Sequence, residues 1–256
     1  MNDTDLLEEL VALSRLAGEE IMQIYAKDFA VDYKSDDSPV TDADLAANRV
    51  ITAGLQRLTP NIPILSEESA DISWQERQTW QRYWLVDPID GTKEFIKKNG
   101  EFTVNIALIE NGTPTMGVVY APALNTCYLA AKAIGAFREC DEARIELKVT
   151  RKNKQGKIKV VGSRSHPSPE LADYLAQFDD VEMVPKGSSL KLCLVAEGEA
   201  DIYPRLGPTS EWDTGAGHAV AEIAGATVTQ HDGSPLKYNQ KESYLNPYFI
   251  VSRLDN

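Results

Sequence analysis

Two carboxylates lie three residues apart where a short apolar run meets a proline and a glycine. The run Trp84–Val86 leads directly into Asp87, and Pro88 then opposes both helix continuation and a regular ladder hydrogen bond. The pattern predicts a buried strand that ends in a turn, with Asp87 and Asp90 close together at its tip. Such carboxylates repel each other unless a proton or cation lies between them, and Mg²⁺ prefers oxygen ligands of this kind. An ordinary turn rich in Asp, Pro and Gly has the same composition, so the motif alone leaves both interpretations open.

Further polar residues extend this set. Gly91 lets the backbone approach a ligand closely, and Thr92 adds a hydroxyl beside the two aspartates. Elsewhere, Asp44 lies at the start of a predicted helix, two glutamates follow a short apolar segment, and Asp213 precedes a helix of small residues. Each position also has a structural explanation. Asp44 can form a capping box with Thr41, Asp213 can be an N-cap, and the glutamates can be a solvated strand end.

Charge and composition argue against some classes of partner. The 256-residue chain has a formal net charge of −13 and no tract rich in Lys or Arg, which argues against a nucleic-acid polymer. A small phosphorylated substrate is compatible with this charge if metal ions and a few placed cations invert the local field. We expect no transmembrane segment, because no apolar run is long enough to cross a bilayer. Cys127, Cys140 and Cys193 lack metal-ligand spacing and are typical of reduced thiols in a cytoplasmic protein.

Hydrophobic periodicity predicts two helices, then a β-rich region, then a half in which strands and helices alternate. Apolar residues three and four apart predict helices over 3–27 and from Thr41 onward. Alternation after residue 157 favours an α/β arrangement. We therefore expect an N-terminal lobe, residues 1–150, with a mixed or antiparallel sheet and most metal ligands, and a C-terminal α/β lobe, residues 151–256. The predicted strands of the first lobe are 62–66, 84–86, 102–110, 114–121, 126–131 and 136–139, with a hairpin turn at 110–113.

In this combination the motifs resemble the inositol monophosphatase-like family of Mg²⁺-dependent, lithium-sensitive phosphatases, over essentially the whole chain. The resemblance implies an α/β (α+β) fold, a layered αβαβα sandwich of the sugar-phosphatase type, with the metal site between two lobes. Within the family, the second half is similar to the bacterial 3'(2'),5'-bisphosphate nucleotidases, in the runs Gly162–His166, Gly187–Lys191, Ala196–Arg205 and Glu211–His218. The family motifs, in order and spacing, are Asp42–Asp44, Glu67 and Glu68, Asp87–Thr92, and Trp212 with Asp213.

The resemblance also implies ligands for two Mg²⁺ ions and roles for the residues around them. One set is Glu67, Asp87 and the main-chain carbonyl of Ile89; the other is Asp87, Asp90 and Asp213, so that Asp87 bridges. A third, weaker ion is implied near Glu67, which also counts as a catalytic residue. The remaining roles are Asp44 accepting a hydrogen bond from Thr92, the Thr92 hydroxyl orienting the attacking water, and Glu68 as a supporting carboxylate.

The nucleotidase resemblance implies hydrolysis of adenosine 3',5'-bisphosphate to AMP and phosphate, with 3'-phosphoadenylyl sulfate as a second substrate. This would place the enzyme in sulfur metabolism. In physical terms, Lys191 offers a point charge and Arg205 a bidentate fork to a second phosphate. The implied substrate-binding residues are Gly91, Thr92, Ser163, His166, Ser188, Lys191, Arg205 and Asp213.

Two other functions stay open at this point. One is hydrolysis of inositol or fructose phosphates on the same metal core, and the other is an inactive metal- or nucleotide-binding regulator. The resemblance further suggests a cytoplasmic monomer or homodimer, with peripheral attachment to the inner membrane face known among family members.

Overall fold

A computed structural model describes residues 1–27, 31–33, 39–141, 143–162 and 169–255. The helices in these residues are Asp3–Tyr25 (α1), Asp42–Leu58 (α2), Trp74–Arg77 (α3), Thr92–Ile96 (α4), Pro169–Leu175 (α5), Leu190–Glu197 (α6) and Gly215–Ala224 (α7). The strands are Asp32–Tyr33 (β1), Pro39–Val40 (β2), Ile64–Ser66 (β3), Arg82–Asp90 (β4), Thr103–Glu110 (β5), Thr113–Ala121 (β6), Thr126–Ala131 (β7), Gly135–Cys140 (β8), Ala143–Leu147 (β9), Lys157–Gly162 (β10), Asp180–Pro185 (β11), Ile202–Arg205 (β12), Thr227–Gln230 (β13) and Phe249–Ser252 (β14).

The first two helices form where the apolar spacing predicted them. In α1 the residues at spacings of three and four, Leu6, Leu10, Ala17 and Ile21 among them, are buried. A capping box begins α2. The Thr41 hydroxyl accepts a hydrogen bond from Ala43 N–H at 3.2 Å, and the Asp44 side chain accepts one from the backbone N–H of Thr41. The two helices pack together on one face of a large sheet.

That sheet has seven strands in the order β3-β4-β5-β6-β7-β8-β9. β3 and β4 are parallel, and the remaining neighbours are antiparallel. The predicted hairpin turn between β5 and β6 is confirmed, since Asn111 and Gly112 have φ of 50° and 72°, in the left-handed region that such turns require. The edge strand β9 is not among the predicted strands: residues 143–147 alternate apolar and charged side chains, but they lie in a charged stretch at the predicted lobe boundary and four of the five are exposed.

Strand β4 does not end before Pro88, as the sequence predicted, but continues to Asp90. Its pairing with β5 shifts register between Asp87 and Asp90. This irregularity accommodates a proline, which has no N–H to donate to a ladder, and bends the strand there. The two aspartates are therefore separated by a bulge in a strand.

A second sheet has five strands in the order β11-β10-β12-β14-β13. Three clusters of buried apolar side chains lie between the layers and hold them together. One lies between α1, α2 and the large sheet; the second lies between that sheet, α6, α7 and the small sheet; the third joins the small sheet to aromatic side chains from α5 and the residues after it. The order is thus helix, sheet, helix, sheet, helix, and the predicted αβαβα sandwich is confirmed. The lobe boundary at residue 150 stays a prediction.

Asp201, just before β12, joins β10 to the segments before β10 and after β14 through a buried carboxylate. Its side chain is 0% exposed and accepts hydrogen bonds from Lys152 Nζ (2.6 Å), Lys159 N–H (2.8 Å) and Arg253 Nε (2.8 Å). Burial alone would raise the pKa of Asp201, but these hydrogen bonds hold it below its usual range. Because the pKa of Asp201 is lower in the folded than in the unfolded state, its ionised carboxylate stabilises the fold at pH values above the unfolded-state pKa. This stabilisation is lost as the pH falls through the folded-state pKa.

We therefore expect Asp201→Asn to lower the free energy of unfolding by roughly 3 kcal/mol at pH 7, as for other broken buried ion pairs. The difference from the wild type should shrink below about pH 4, the pKa range of an unfolded aspartate. Urea unfolding at both pH values measures it. Asp173→Asn, which removes the same charge from an exposed position on α5, should change little. Equal losses for both variants, or a loss independent of pH, would contradict this account of Asp201.

Candidate active site

Three carboxylates from distant parts of the chain meet at one end of the large sheet. Glu67 and Asp87 follow Ser66 and Val86, which are register partners in the parallel strands β3 and β4. Asp213 comes from the loop before α7. One oxygen from each of the three lies within 4.8 Å of the others. The parallel pairing of Ser66 with Val86 thus brings the first two together, and the packing of the two halves adds the third.

Burial and mutual repulsion make this cluster a strongly perturbed site. The Asp87 side chain is 1% exposed, and its Oδ1 atom has no hydrogen-bond partner among the described residues. Burial, together with the charges of Glu67, Asp90, Asp213 and Asp44, raises the pKa of Asp87 well above its usual value. Burial and the charge of Asp90 also raise the pKa of Asp213 to about 8, against the hydrogen bond from Ser210 N–H.

These observations test whether the residues fit a metal ion. A buried carboxylate oxygen without a partner is costly, and so are several like charges at this separation. A hard divalent cation satisfies the oxygens and offsets the charges, and carboxylates are the ligands that Mg²⁺ uses in proteins. The donor set therefore fits the predicted kind of ion.

Asp90 lies beside these three carboxylates and faces the second half of the chain. Its charge contributes to the raised pKa of both Asp87 and Asp213. Its Oδ2 atom accepts a hydrogen bond from Ser189 Oγ at 2.6 Å. It also lines the same cavity as Asp213. The four acidic side chains predicted as ligands therefore belong to one region, although the oxygens that meet within 4.8 Å are those of the other three.

Thr92 begins α4, directly after the bulge, and faces Asp44. Its hydroxyl oxygen lies 3.5 Å from Asp44 Oδ1 and 3.4 Å from the carbonyl oxygen of Ile89. The other carboxylate oxygen of Asp44 accepts from both the backbone N–H (2.8 Å) and the hydroxyl (2.7 Å) of Thr41. The capping and the catalytic interpretations of Asp44 thus use different oxygens of one side chain and are compatible.

Gly91 and Glu68 each directly follow a predicted metal ligand in the chain. Gly91 has a φ of 91°, and a Cβ atom built on it would come within 3.3 Å of the Ser188 Cβ atom, so a small residue is needed where the two halves meet. Glu68 is half-buried in the 3-10 turn Glu67–Ser69. It is not among the three clustered carboxylates, and its supporting role stays a prediction.

Two adjoining cavities extend from the carboxylates into the second half. Their volumes are about 270 and about 70 Å³, and both are lined by Asp90, Ser188 and Lys191. Arg205 lines the smaller one. Burial lowers the pKa of Lys191, and the nearby charge of Asp90 opposes that effect. The structure thus brings together the predicted Ser188, Lys191 and Arg205, whereas Ser163 and His166 lie outside the described residues.

Sequence reasoning missed two buried polar residues, one of which contacts a predicted ligand while the other contacts the first. Ser189 bonds to Asp90, and Asn105 on β5 donates to Ser189 Oγ through Nδ2 at 2.8 Å. A signal for Asn105 was present, because it is an amide within the otherwise apolar stretch Val104–Ile109. A buried amide in a strand core requires hydrogen-bond partners and thus indicates a polar site next to the sheet.

Comparisons with known proteins agree with this architecture. The model of the inositol monophosphatase family matches residues 2–252. The 3'(2'),5'-bisphosphate nucleotidase CysQ of Escherichia coli is 54% identical over 250 residues, which cover 96% of this chain and 99% of that protein. The same-named protein of Buchnera aphidicola is 44% identical, over 97% of this chain and 94% of its own.

Solved structures give the same result. The crystal structure of CysQ from Bacteroides thetaiotaomicron superposes with a TM-score of 0.84 at 42% identity, over 97% of both chains. Inositol monophosphatase from Anabaena superposes with a TM-score of 0.76 at 25% identity, over 99% of this chain and 92% of that one. Among the described residues, no helix has the length and apolar character needed to cross a membrane. By its sequence and by its fold, this chain belongs to the inositol monophosphatase family of metal-dependent phosphatases.

Proposed function

We propose that this protein is a Mg²⁺-dependent 3'(2'),5'-bisphosphate nucleotidase that hydrolyses adenosine 3',5'-bisphosphate to AMP and phosphate. The observation that carries the proposal is the position of Lys191 and Arg205 in cavities that also reach Asp90 and Asp213. A substrate with two phosphate groups can place one at the carboxylates and the other at the cations. High identity to proteins named CysQ, over nearly the whole chain, supports the same activity.

The carboxylates would hold the metal ions on which this activity depends. We assign one Mg²⁺ to Glu67, Asp87 and the Ile89 carbonyl, a second to Asp87, Asp90 and Asp213, and a third, weaker one to the vicinity of Glu67. When bound, such ions lower the pKa of a water molecule and neutralise charge on the phosphoryl oxygens, which the very slow hydrolysis of phosphate monoesters requires. Glu68 would support this set.

Thr92 and Asp44 would act on the attacking water. The Thr92 hydroxyl lies within reach of the Asp44 carboxylate, which Thr41 holds in place through the capping box. When the hydroxyl donates to Asp44, its oxygen lone pairs can accept a hydrogen bond from water and direct the water oxygen toward phosphorus. A proton that leaves the water has a route through Thr92 Oγ1 to Asp44 Oδ1.

The second phosphate would be held on the far side of Asp90. Arg205 presents a planar fork suited to two phosphate oxygens, and Lys191 a point charge whose burial strengthens its attraction for an anion. Ser188, Gly91 and Asp213 line the cavities between the two phosphate positions. Ser163 and His166 complete the predicted recognition set. The same groups suit 3'-phosphoadenylyl sulfate, which carries a sulfate on its second phosphate.

A substrate panel with and without Mg²⁺ tests the proposal. We expect phosphate release from adenosine 3',5'-bisphosphate with a KM at least tenfold below that for 3'-AMP, which lacks the second phosphate. We expect slower release from inositol 1-phosphate, and none after chelation. Faster turnover of the inositol ester would instead assign the chain to sugar-phosphate hydrolysis. Tight nucleotide binding without turnover would assign it to the inactive regulators.

The location and assembly of the protein are also proposals. We infer a cytoplasmic enzyme acting on a small molecule, as a monomer or a homodimer, with any membrane attachment peripheral at the inner face. Separation of cell fractions and light scattering of the purified protein test these points independently of the activity.

A further inference from the structure

Ser189 lies where three separate parts of the chain converge. It directly precedes α6, and its side chain belongs to a residue that is 1% exposed. Its hydroxyl oxygen lies 2.6 Å from Asp90 Oδ2 on β4 and 2.5 Å from the main-chain carbonyl oxygen of Asp213, just before α7. Both neighbours belong to residues assigned here as metal ligands, one from each half of the chain.

Of these two contacts of the Ser189 hydroxyl, the one with the Asp90 carboxylate is the stronger hydrogen bond. A serine hydroxyl has one hydrogen to donate and two lone pairs that accept. Asn105 Nδ2 donates to the hydroxyl oxygen at 2.8 Å, so one accepting position is used. The single hydrogen is attracted more strongly by the charged Asp90 carboxylate than by a neutral carbonyl, because charge-assisted hydrogen bonds are about twice as strong. Asn105 and Ser189 thus form a chain of donors that ends at Asp90.

The anchor of this chain is rigid. Asn105 lies in the middle of the large sheet, directly opposite Asp87 in the β4–β5 register, and is 1% exposed. Directly opposed residues of an antiparallel pair have side chains on the same face, so Asn105 shares its face with Asp87, the most buried of the proposed metal ligands. Asp90, by contrast, comes after the bulge, where the regular β4–β5 register is interrupted and fixes its direction less firmly.

We propose that Ser189, held by Asn105, is a positioning residue that fixes the Asp90 carboxylate for metal binding. This inference rests on the proposed metal-dependent function. Ser189 belongs to the second half of the chain and holds Asp90, a proposed ligand from the first half. Docking of the two halves and assembly of the metal site are therefore coupled. Neighbours that orient metal ligands in this way typically change metal affinity by roughly 10–100-fold when they are removed.

The test measures Mg²⁺ affinity directly, by calorimetric titration of chelator-treated protein. Ser189→Ala should weaken Mg²⁺ binding by about 10-fold or more. Ser189→Cys keeps nearly the same shape but is a weak donor, and it should lose as much. The matched control is Ser14→Ala, which removes a buried hydroxyl that donates to Val11 O at 2.8 Å on α1, far from the site in the fold, and it should leave the affinity unchanged.

A second variant separates positioning from general damage to the fold. Asn105→Ala should weaken binding less than Ser189→Ala, and the double variant should be no worse than Ser189→Ala alone, because Asn105 acts through Ser189. A purely structural role would lower the melting temperature without changing the Mg²⁺ affinity of the folded protein. Wild-type affinity in Ser189→Cys, or additive losses in the double variant, would overturn the proposal. Failure of the wild type itself to bind Mg²⁺ would instead contradict the proposed function.

Discussion

Asp87→Asn is expected to reduce phosphate release by at least about 10³-fold and, in chelator, to leave the folded protein more stable than the wild type. The loss of activity follows because metal ions contribute several kcal/mol to phosphoryl transfer and Asp87 is assigned to two of the three proposed ions. The gain in stability follows because Asp87 is 1% exposed, one of its oxygens has no partner among the described residues, and the charges of four other carboxylates act on it. Removing its charge relieves that repulsion.

The size and sign of the stability change identify the cause. We expect the melting temperature in chelator to rise by about 2–4 °C, the shift for about 1 kcal/mol in a protein somewhat smaller than this one. In millimolar Mg²⁺ the order should reverse, because an ion that binds only the folded wild type stabilises it by mass action. Thermal melts of both proteins, with and without the ion, give these values.

The control for this experiment is the exposed Asp173→Asn, which should behave as wild type under both conditions. An Asp87→Asn protein that is less stable than the wild type even in chelator would show that Asp87 is held by attractive contacts. In that case the carboxylate cluster would be a structural network of hydrogen bonds, and the assignment of metal ligands would be wrong.

The contrast between Asp87 and Asp90 shows how far the sequence could predict the site. The sequence shows the two aspartates and their spacing, and from these it predicts a cation that offsets their charges. It does not show the bulge between them, because a proline just after an apolar run predicts the end of a strand, whereas β4 continues to Asp90 with a shifted register. A proline excludes one ladder hydrogen bond, but the neighbouring strand β5 and the core on both faces keep the rest of β4 in the sheet.

Long-range contacts set the second limit. Local patterns predicted α1, α2 and the β5–β6 hairpin, since caps and turn residues act over a few positions. The contact of Ser189 with Asp90 depends on how α6 docks against the large sheet, and no local pattern contains that information. The sequence drew attention to Ser188, which lines the cavities, and gave no reason to prefer its neighbour. Both serines are buried, and tertiary packing decides which of the two hydroxyls contacts Asp90.

Thr92→Val is expected to lower kcat by about 10²–10³-fold while leaving KM and Mg²⁺ affinity nearly unchanged. Valine has the shape of threonine without the hydroxyl, so α4 and the adjacent bulge should keep their positions. What is lost is the oxygen that lies 3.5 Å from Asp44 Oδ1 and would direct the attacking water, a contribution in the usual range for placed proton-transfer groups. Thr92→Ser, which keeps the hydroxyl, should retain most of the activity. Steady-state kinetics at saturating Mg²⁺ measure kcat and KM, and calorimetric titration with Mg²⁺ measures the affinity.

Asp44→Asn completes this test, because it separates the two roles of Asp44. An asparagine can still accept at the capping box, where Asp44 Oδ2 now receives the backbone N–H of Thr41 at 2.8 Å, so α2 should remain intact. It cannot take up a proton as a carboxylate does. If Thr92 and Asp44 act as one unit, the variant should lose kcat to about the same extent as Thr92→Val, and the double variant should be no slower than either. Multiplicative losses, or a fully active Asp44→Asn protein, would mean that this carboxylate only caps the helix and that Thr92 directs water without it.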